Sequence, residues 1–190
     1  RYLSLMMREK LVNGVKEGLT SFSGLIAHGR GEAFDYLIGE RTTEIAEKAT
    51  KAAVALIFLS KNPVISVNGN TAALVAKEVV KMAKLFNMKI EVNLFHFELE
   101  RLRKIENLLV SFGADKMLLR FDENKMKELP GLKHSRKFAH EEGIYSADLV
   151  FVPLEDGDRC GLLVNLGKKV IAIDLNPLSR TAQTATITIV

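Results

Sequence analysis

The spacing of hydrophobic residues changes near residue 60. Before that point, apolar residues recur every three or four positions in two stretches, which predicts two amphipathic helices. The first is predicted to end near Gly18, and the second to begin at Thr42 or Thr43, because a threonine hydroxyl suits the N-cap position. The apolar face of the second helix is predicted to comprise Ile45, Ala49, Ala52, Ala53, Leu56 and Ile57.

After residue 60, short apolar runs alternate with amphipathic stretches. Six runs predict strands, at residues 64–67, 90–95, 116–121, 149–153, 169–174 and 186–190. Helices are predicted after the first two strands, an irregular polar connection at 125–136, and a helical piece at 138–146. This alternation predicts an α/β fold, with a mostly parallel sheet covered by helices and a helical N-terminal extension. We expect residues 1–190 to form one domain, divided into a helical part (1–60) and a β/α core (61–190).

Polar residues follow four of the predicted strands. The segments are Asn68–Thr71, Asn93 with His96, Glu155–Arg159, and Asp174–Asn176. Because the carboxyl ends of parallel strands share one edge of a sheet, and open α/β proteins bind ligands there, the four segments together predict a site. Each segment alone is also explained by turn chemistry, since Asn, Asp and Gly are turn formers.

The segment Asn68-Gly69-Asn70-Thr71 lies where a buried strand gives way to a helix. Free N–H groups and the positive end of the helix dipole suit a phosphate or a carboxylate at such a point. Neither a G-x-x-x-x-G-K-[S/T] motif nor a G-x-G-x-x-G fingerprint is present. Any anion bound there must therefore be held by backbone amides and by Asn and Thr side chains.

Two further clusters combine charge with turn residues. Arg30 stands between Gly29 and Gly31, with His28 just before them, which predicts a guanidinium carried on a tightly turned backbone near a ligand. The stretch "DLNPLSRTAQT", residues 174–184, offers an acid, an amide, hydroxyls and Arg180, a composition suited to a nucleotide. A loop held by salt bridges is the alternative explanation of this stretch.

Composition narrows the possible ligands. The chain of 190 residues is 47% hydrophobic and 26% charged, with a net charge of +4 and a pI near 9.1. Its basic residues are mixed with acids, and the stretch "KHSRK" at 133–137 is short, so we expect no nucleic-acid partner. No apolar run approaches the roughly 20 residues that span a bilayer, so we expect no membrane partner. The single cysteine, Cys160, is expected to be a packing residue in a reducing compartment.

Four stretches carry a resemblance to a known family. They are "HGRGEAFDYLIGERTT", "ISVNGNTAAL", "PLEDGDR" and "VIAIDLNPLSRTAQTATITIV". With them, nearly the whole chain resembles the archaeal phosphopantothenate synthetases, or 4-phosphopantoate–β-alanine ligases. The resemblance implies a Rossmann-like, homodimeric enzyme of coenzyme A biosynthesis, and we expect it to be located in the cytoplasm. It would join 4-phosphopantoate to β-alanine with ATP and Mg²⁺, through an acyl-adenylate, giving 4'-phosphopantothenate, AMP and pyrophosphate. It also implies further chain before Arg1 and after Val190.

The resemblance also implies a set of ligand-binding residues. The implied ATP ligands are Arg8, Arg30, Asp174, Leu175, Asn176, Arg180 and Thr181, to which the composition of their loop adds Ser179. For the 4-phosphopantoate site, we expect His28, Asn68, Gly69, Asn70 and Thr71. We expect catalytic roles for Arg30, Asn68 and Asn70, whereas no metal ligand is identified.

Two other functions stay open at this point. One is an NAD(P)-dependent oxidoreductase on the same type of sheet, although the glycine fingerprint of such enzymes is missing. The other is a nucleotide-binding module without catalysis. It would bind ATP but release no pyrophosphate, so product analysis separates it from a ligase.

Overall fold

The structure of the protein, a computed structural model, describes residues 2–131 and 137–190. Three helices come first: α1 (Tyr2–Lys16), α2 (Phe22–Ile38) and α3 (Glu44–Leu59). The predicted start of α3 is confirmed, since the hydroxyl of Thr43 accepts a hydrogen bond from the amide of Ala46 at 3.1 Å. Its predicted apolar face is partly wrong, because Ile45 is 79% exposed and Ala46 is buried in its place.

The glycine-rich stretch around Arg30 is helical, so the tightly turned backbone predicted there is wrong. Ser21 caps α2, and the helix continues through Gly29 and Gly31 to Ile38. Isolated glycines cost a helix only about 1 kcal/mol each, which tertiary contacts can outweigh. Arg30 is therefore held on a helix rather than on a loop.

Six strands form one parallel sheet in the order β3-β2-β1-β6-β7-β8. The strands and helices after residue 60 are β1 (Pro63–Val67), α4 (Gly69–Phe86), β2 (Lys89–Val92), α5 (Leu99–Ser111), β3 (Leu118–Leu119), β4 (Met126–Glu128), β5 (Phe138–His140), β6 (Leu149–Pro153), α6 (Gly157–Asn165), β7 (Lys169–Ile173), α7 (Arg180–Thr184) and β8 (Ile187–Ile189). The predicted α/β class and the N-terminal helical region are confirmed.

The strand order places a topological switch point between β1 and β6. From β1 the chain proceeds outward through β2 to β3, and from β6 it proceeds in the opposite direction through β7 to β8. This is the order of a doubly wound Rossmann sheet, in which the crevice at the switch point binds ligands. The single-domain assignment stays a prediction, which the packing of α1 against α4 favours.

The segment between β3 and β6 differs from the prediction. A short 3-10 helix, Glu123–Lys125, leads into an antiparallel hairpin of β4 and β5, where the sequence predicted a helical piece at 138–146. Residues 132–136 lie outside the described residues. They comprise the end of the irregular connection predicted at 125–136 and four of the five residues of "KHSRK". The hairpin is fixed by a long-range contact that local periodicity does not reveal, namely the buried carboxylate of Glu91.

The sheet is buried on both faces. Helices α3, α4 and α5 cover one face, and α6 covers the other together with the β4–β5 hairpin. Cys160 is fully buried in the second layer, and burial raises the pKa of its thiol to about 11, which confirms it as a packing residue. Within residues 2–131 and 137–190, no helix combines the length and apolar character that a membrane span requires.

Glu91 is a carboxylate inside this second layer. It is 2% exposed, and it accepts hydrogen bonds from the amides of His140 at 3.1 Å and Ile144 at 2.7 Å. Burial raises the pKa of Glu91 to about 7, against the opposing influence of these two amides and of the charge on Arg159. The native protein therefore binds a proton at Glu91 more tightly than the unfolded chain does.

We expect the free energy of unfolding to fall between about pH 4.5 and pH 7 because of Glu91. Its folded pKa is raised, so its stabilising contribution is complete below the unfolded pKa and is lost as the pH rises through the folded pKa, by roughly 3 kcal/mol. Urea denaturation at several pH values should show a shallower fall for Glu91→Gln. The matched control is Glu78→Gln, at an exposed position on α4. Equal pH dependence in the wild type and both variants would contradict the prediction.

Candidate active site

A cavity of about 710 Å³ opens at the carboxyl edge of the sheet, across the switch point. Residues that follow β1, β2, β6 and β7 line it, together with the first three turns of α2. Nine of the predicted site residues are in its wall: Arg30, Asn68, Gly69, Asn70, Asp174, Asn176, Ser179, Arg180 and Thr181. The sequence pattern of polar residues at strand ends therefore located the cavity.

Asn68 joins the two strands at the switch point. Its Oδ1 accepts hydrogen bonds from the amide of Thr71 at 3.0 Å and from the hydroxyl of Thr71 at 3.1 Å, which caps α4. Its Nδ2 donates to the carbonyls of Pro153 at 2.9 Å and Leu154 at 3.0 Å, at the end of β6. Both side-chain polar atoms are thus occupied within the protein. The side chain of Asn68, for which a catalytic role was expected, thus makes hydrogen bonds that hold the site together.

Leu154 has a backbone conformation that is unusual for a side-chain-bearing residue. Its φ is 61°, in the left-handed region that costs a non-glycine residue of the order of 1 kcal/mol or more. Its amide donates to the carbonyl of Ile173 at 2.9 Å, and its own carbonyl accepts from Asn68. These two bonds hold the turn, which directs Glu155 and Asp156 towards the cavity.

Asn70 ties α4 to the start of α2. Its Oδ1 accepts a hydrogen bond from the hydroxyl of Thr20 at 2.6 Å, and its Nδ2 donates to the carbonyl of Gly24 at 2.9 Å. A Cβ at Gly24 would lie 2.4 Å from Oδ1 of Asn70, so this approach requires glycine. Aspartate lacks the Nδ2 donor, so an aspartate at this position could not make the hydrogen bond to Gly24.

The backbone amides beside these asparagines are available to a ligand. Among the described residues, no partner accepts a hydrogen bond from the amides of Gly69 and Asn70. Both residues line the cavity at the first turn of α4. The N-terminus of α4 therefore offers N–H groups, as the sequence predicted, while its asparagine side chains position it.

The loop after β7 is fixed against the start of α6. The carboxylate of Asp174 accepts hydrogen bonds from the amide of Asn176 at 2.9 Å and from the hydroxyl of Ser179 at 2.5 Å. The hydroxyl of Thr181 donates to the carbonyl of Glu155 at 2.9 Å. A Cβ at Gly157 would lie 2.5 Å from Cβ of Arg180, so glycine permits this close packing.

Four helices begin at the cavity. Their N-caps are Ser21 of α2, Asn68 of α4, Asp156 of α6 and Ser179 of α7, and all four caps line the wall. The N-terminal ends of these helices therefore border the same space, and the N–H groups at a helix N-terminus favour negative charge. The cavity is therefore suited to a ligand, or a pair of ligands, that carries several negative charges.

Three guanidinium groups line the same wall. Arg30 is exposed and has no hydrogen-bond or ion-pair partner among the described residues. Arg180 pairs with Asp158 while its side chain stays 74% exposed. Arg101 pairs with Glu98 at 2.7 Å, with a side chain that is only 20% exposed. Arginine suits phosphate because its planar group can donate two parallel hydrogen bonds.

Sequence comparison identifies the family of proteins that builds this cavity. The family described as phosphopantothenate/pantothenate synthetase matches residues 45–190. The chain belongs to this family. Proteins named 4-phosphopantoate–β-alanine ligase from Thermococcus onnurineus and Methanosarcina mazei are each 55% identical to it over all 190 residues, and one from Methanospirillum hungatei is 52% identical. The chain covers 72%, 74% and 76% of these three relatives.

Four predicted site residues of this synthetase-family chain lie outside the cavity wall. They are Arg8, His28, Thr71 and Leu175. Arg8 donates from Nε to both carboxylate oxygens of Glu32, at 3.1 and 3.2 Å, and also bonds the hydroxyl of Tyr36. Burial lowers the pKa of His28. The hydroxyl of Thr71 is bonded to Asn68. A direct ligand role for these four stays a prediction.

The wall also contains residues that the sequence pattern did not predict as ligands. They are Thr20, Ser21, Ser23, Gly24, Ala27, Gly31, Leu94, Phe95, His96, Arg101, Leu154, Glu155, Asp156 and Gly157. His96, Glu155 and Asp156 fall within the polar segments that follow strands, so their signal was present. Arg101 gave none, because a charged residue on an amphipathic helix is read as facing solvent. In the part of the chain described by the structure, no group of three or more His, Cys, Asp or Glu residues is placed to hold a metal ion.

Proposed function

We propose that the chain is an ATP-dependent ligase that joins 4-phosphopantoate to β-alanine, producing 4'-phosphopantothenate, AMP and pyrophosphate for coenzyme A biosynthesis. Its family membership supports this function. The observation that carries it is the convergence of four helix N-termini on one cavity beside Arg30 and Arg180. ATP and 4-phosphopantoate both bring negative charge, and this cavity offers the donors that both require.

The chemistry needs positioning more than a nucleophilic side chain. A carboxylate oxygen of 4-phosphopantoate attacks the α-phosphorus of ATP, the bond to the β-phosphate oxygen breaks, and pyrophosphate leaves. The amine of β-alanine then attacks the acyl carbon of the mixed anhydride, loses a proton and displaces AMP. Oriented reactants account for a large part of the barrier reduction in such reactions. Fixed amide and guanidinium donors stabilise the charge that develops on the phosphates.

We place ATP at the β7 side of the cavity. Asp174, Asn176 and Ser179 supply acceptors and donors for the base or ribose there, and their loop is held rigidly by the hydrogen bonds of Asp174. Arg30 and Arg180 supply positive charge for the phosphates. The amides of Gly69 and Asn70 then lie beside the switch point, where they bind the reacting carboxylate of 4-phosphopantoate.

Mg²⁺ is expected to accompany ATP. It binds nucleotides through phosphate oxygens, water and only one or two protein carboxylates, so a dedicated cluster is unnecessary. The carboxylate of Asp156 lines the cavity and fits this limited requirement. When bound, the ion neutralises charge on the phosphates.

We also propose that the protein acts as a cytoplasmic homodimer. Large apolar side chains of α1 and α2 are exposed in the single chain, among them Leu3 at 73%, Phe22 at 75%, Ile26 at 75% and Leu37 at 83%. Burying such side chains in a second copy removes apolar surface from water, which favours association. Sedimentation equilibrium that gives a monomer mass at micromolar concentration would contradict the dimer.

The product formed from ATP tests the reaction. We expect that a mixture of the protein, Mg-ATP, 4-phosphopantoate and β-alanine accumulates AMP and pyrophosphate, with each substrate required. Chromatography measures the AMP and the 4'-phosphopantothenate that are formed. If ADP and inorganic phosphate were the only products formed from ATP, the adenylate intermediate would be excluded. ATP binding without turnover would favour a binding module.

We expect Arg30→Ala to lower kcat by about a hundred- to a thousand-fold, as the loss of a charge-stabilising donor does in other enzymes. Stability should change little, because Arg30 is exposed and has no partner among the described residues. Steady-state kinetics and thermal unfolding measure the two effects. Arg41→Ala is the control, since Arg41 is exposed and lies outside the cavity wall. A variant that melts far below the wild type but keeps its activity per folded molecule would assign Arg30 a structural role.

A further inference from the structure

We propose that Arg101, assisted by His96, binds the phosphate group of 4-phosphopantoate and thereby selects the phosphorylated substrate over pantoate. The inference rests on the proposed ligase function and adds a subsite to it. Both residues line the cavity after β2, at the side away from the nucleotide loop. None of the ATP-binding residues that the family resemblance implies lies at this end of the cavity.

The strand order separates the two ends of the cavity. The strands that contribute to the wall lie in the order β2, β1, β6, β7. Since neighbouring strands are about 4.8 Å apart, three spacings put the ends of β2 and β7 roughly 14 Å from each other. A nucleotide held by the loop after β7 therefore leaves the end of β2 for the second substrate.

The chemistry of the reaction orients 4-phosphopantoate in this space. Its carboxylate must meet the α-phosphate of ATP, and its own phosphate is at the opposite end of the molecule. With the carboxylate at the amides of Gly69 and Asn70, after β1, the phosphate points away from ATP. The strand next to β1 on that side is β2, whose following residues include Arg101.

The surroundings of Arg101 fit a phosphate rather than a salt bridge alone. Its Nη2 donates to Glu98 at 2.7 Å, but its Nε is buried and has no partner in the described part of the chain. A buried donor without a partner is costly, so an acceptor supplied by a ligand would satisfy it. Arg101 also lies in the first turn of α5, where the helix dipole disfavours a cation. A bound phosphate would accept a hydrogen bond from Nε and would also offset the unfavourable interaction of Arg101 with the helix dipole.

Apolar residues occupy the wall next to Arg101. Leu94 and Phe95 line the cavity between the end of β2 and Arg101. The carbon of pantoate between its carboxylate end and its phosphate end carries two methyl groups, which need an apolar contact. This part of the wall therefore combines amides, apolar side chains and a guanidinium, which are the three kinds of contact that 4-phosphopantoate requires.

The test compares Arg101→Gln and Arg101→Lys with the wild type on 4-phosphopantoate and on unphosphorylated pantoate, used as substrate or competitive inhibitor. We expect Arg101→Gln to lower kcat/KM for 4-phosphopantoate by about ten- to a hundred-fold. Pantoate binding and the Kd of ATP, measured by calorimetry, should stay within about twofold. Arg101→Lys should recover part of the loss, because it restores the charge without the planar group. Lys104→Gln removes one charge from the same helix outside the cavity wall and should behave as wild type.

Three results would overturn the assignment. Equal losses for pantoate and 4-phosphopantoate would give Arg101 a structural role, and a weaker Kd for ATP alone would place it in the nucleotide site. Unchanged discrimination in Arg101→Gln would remove it from the substrate site altogether. If Arg101→Gln fails to fold in thermal unfolding, the comparison is made with Arg101→Lys, for which full wild-type discrimination and affinity would also contradict the proposal. Failure of the wild type to form AMP would instead refute the ligase function.

Discussion

The side chain of Asn68 is the contact on which the geometry of the cavity depends. It caps α4 with its oxygen and holds the turn after β6 with its nitrogen, so one amide fixes both sides of the switch point. The strained φ of Leu154 persists because Asn68 and Ile173 bond its two peptide groups. Through that turn the same contact places Glu155 and Asp156, and hence the start of α6.

The cavity differs from the phosphate-binding site of dinucleotide-binding Rossmann proteins. Dinucleotide enzymes with this strand order bring the pyrophosphate to one helix through a glycine-rich turn after the first strand. Here the corresponding turn contains Asn68, Gly69 and Asn70, and the positive ends of several helices share the cavity instead. This distributed charge suits a reaction that holds two anions next to each other. The helix dipoles provide it without the desolvation cost of burying more arginines.

The sequence predicted the sheet and the edge where the site lies, because buried parallel strands leave apolar runs that end in turn-forming polar residues. It failed where tertiary contacts outweigh local preference. Glu91 accepts hydrogen bonds from the amides of His140 and Ile144 and so stabilises a hairpin strand and a turn at residues 138–144. The sequence of that stretch gives no sign of this contact. The helix through Gly29 and Gly31 was missed for the same reason. Arg101 was missed because a charge on an amphipathic helix is uninformative until the strand order brings it to the cavity.

Helix α2 shows how the N-terminal part contributes to the core site. Its start is fixed to α4 by the two hydrogen bonds of Asn70, to Thr20 and Gly24. Its middle is fixed to α1 by Glu32, which is buried and accepts from Arg8. Arg30 lies between these two anchors and reaches the cavity without a partner of its own among the described residues. The ion pair of Arg8 with Glu32 therefore contributes to the position of α2, and with it to the position of Arg30 at the cavity.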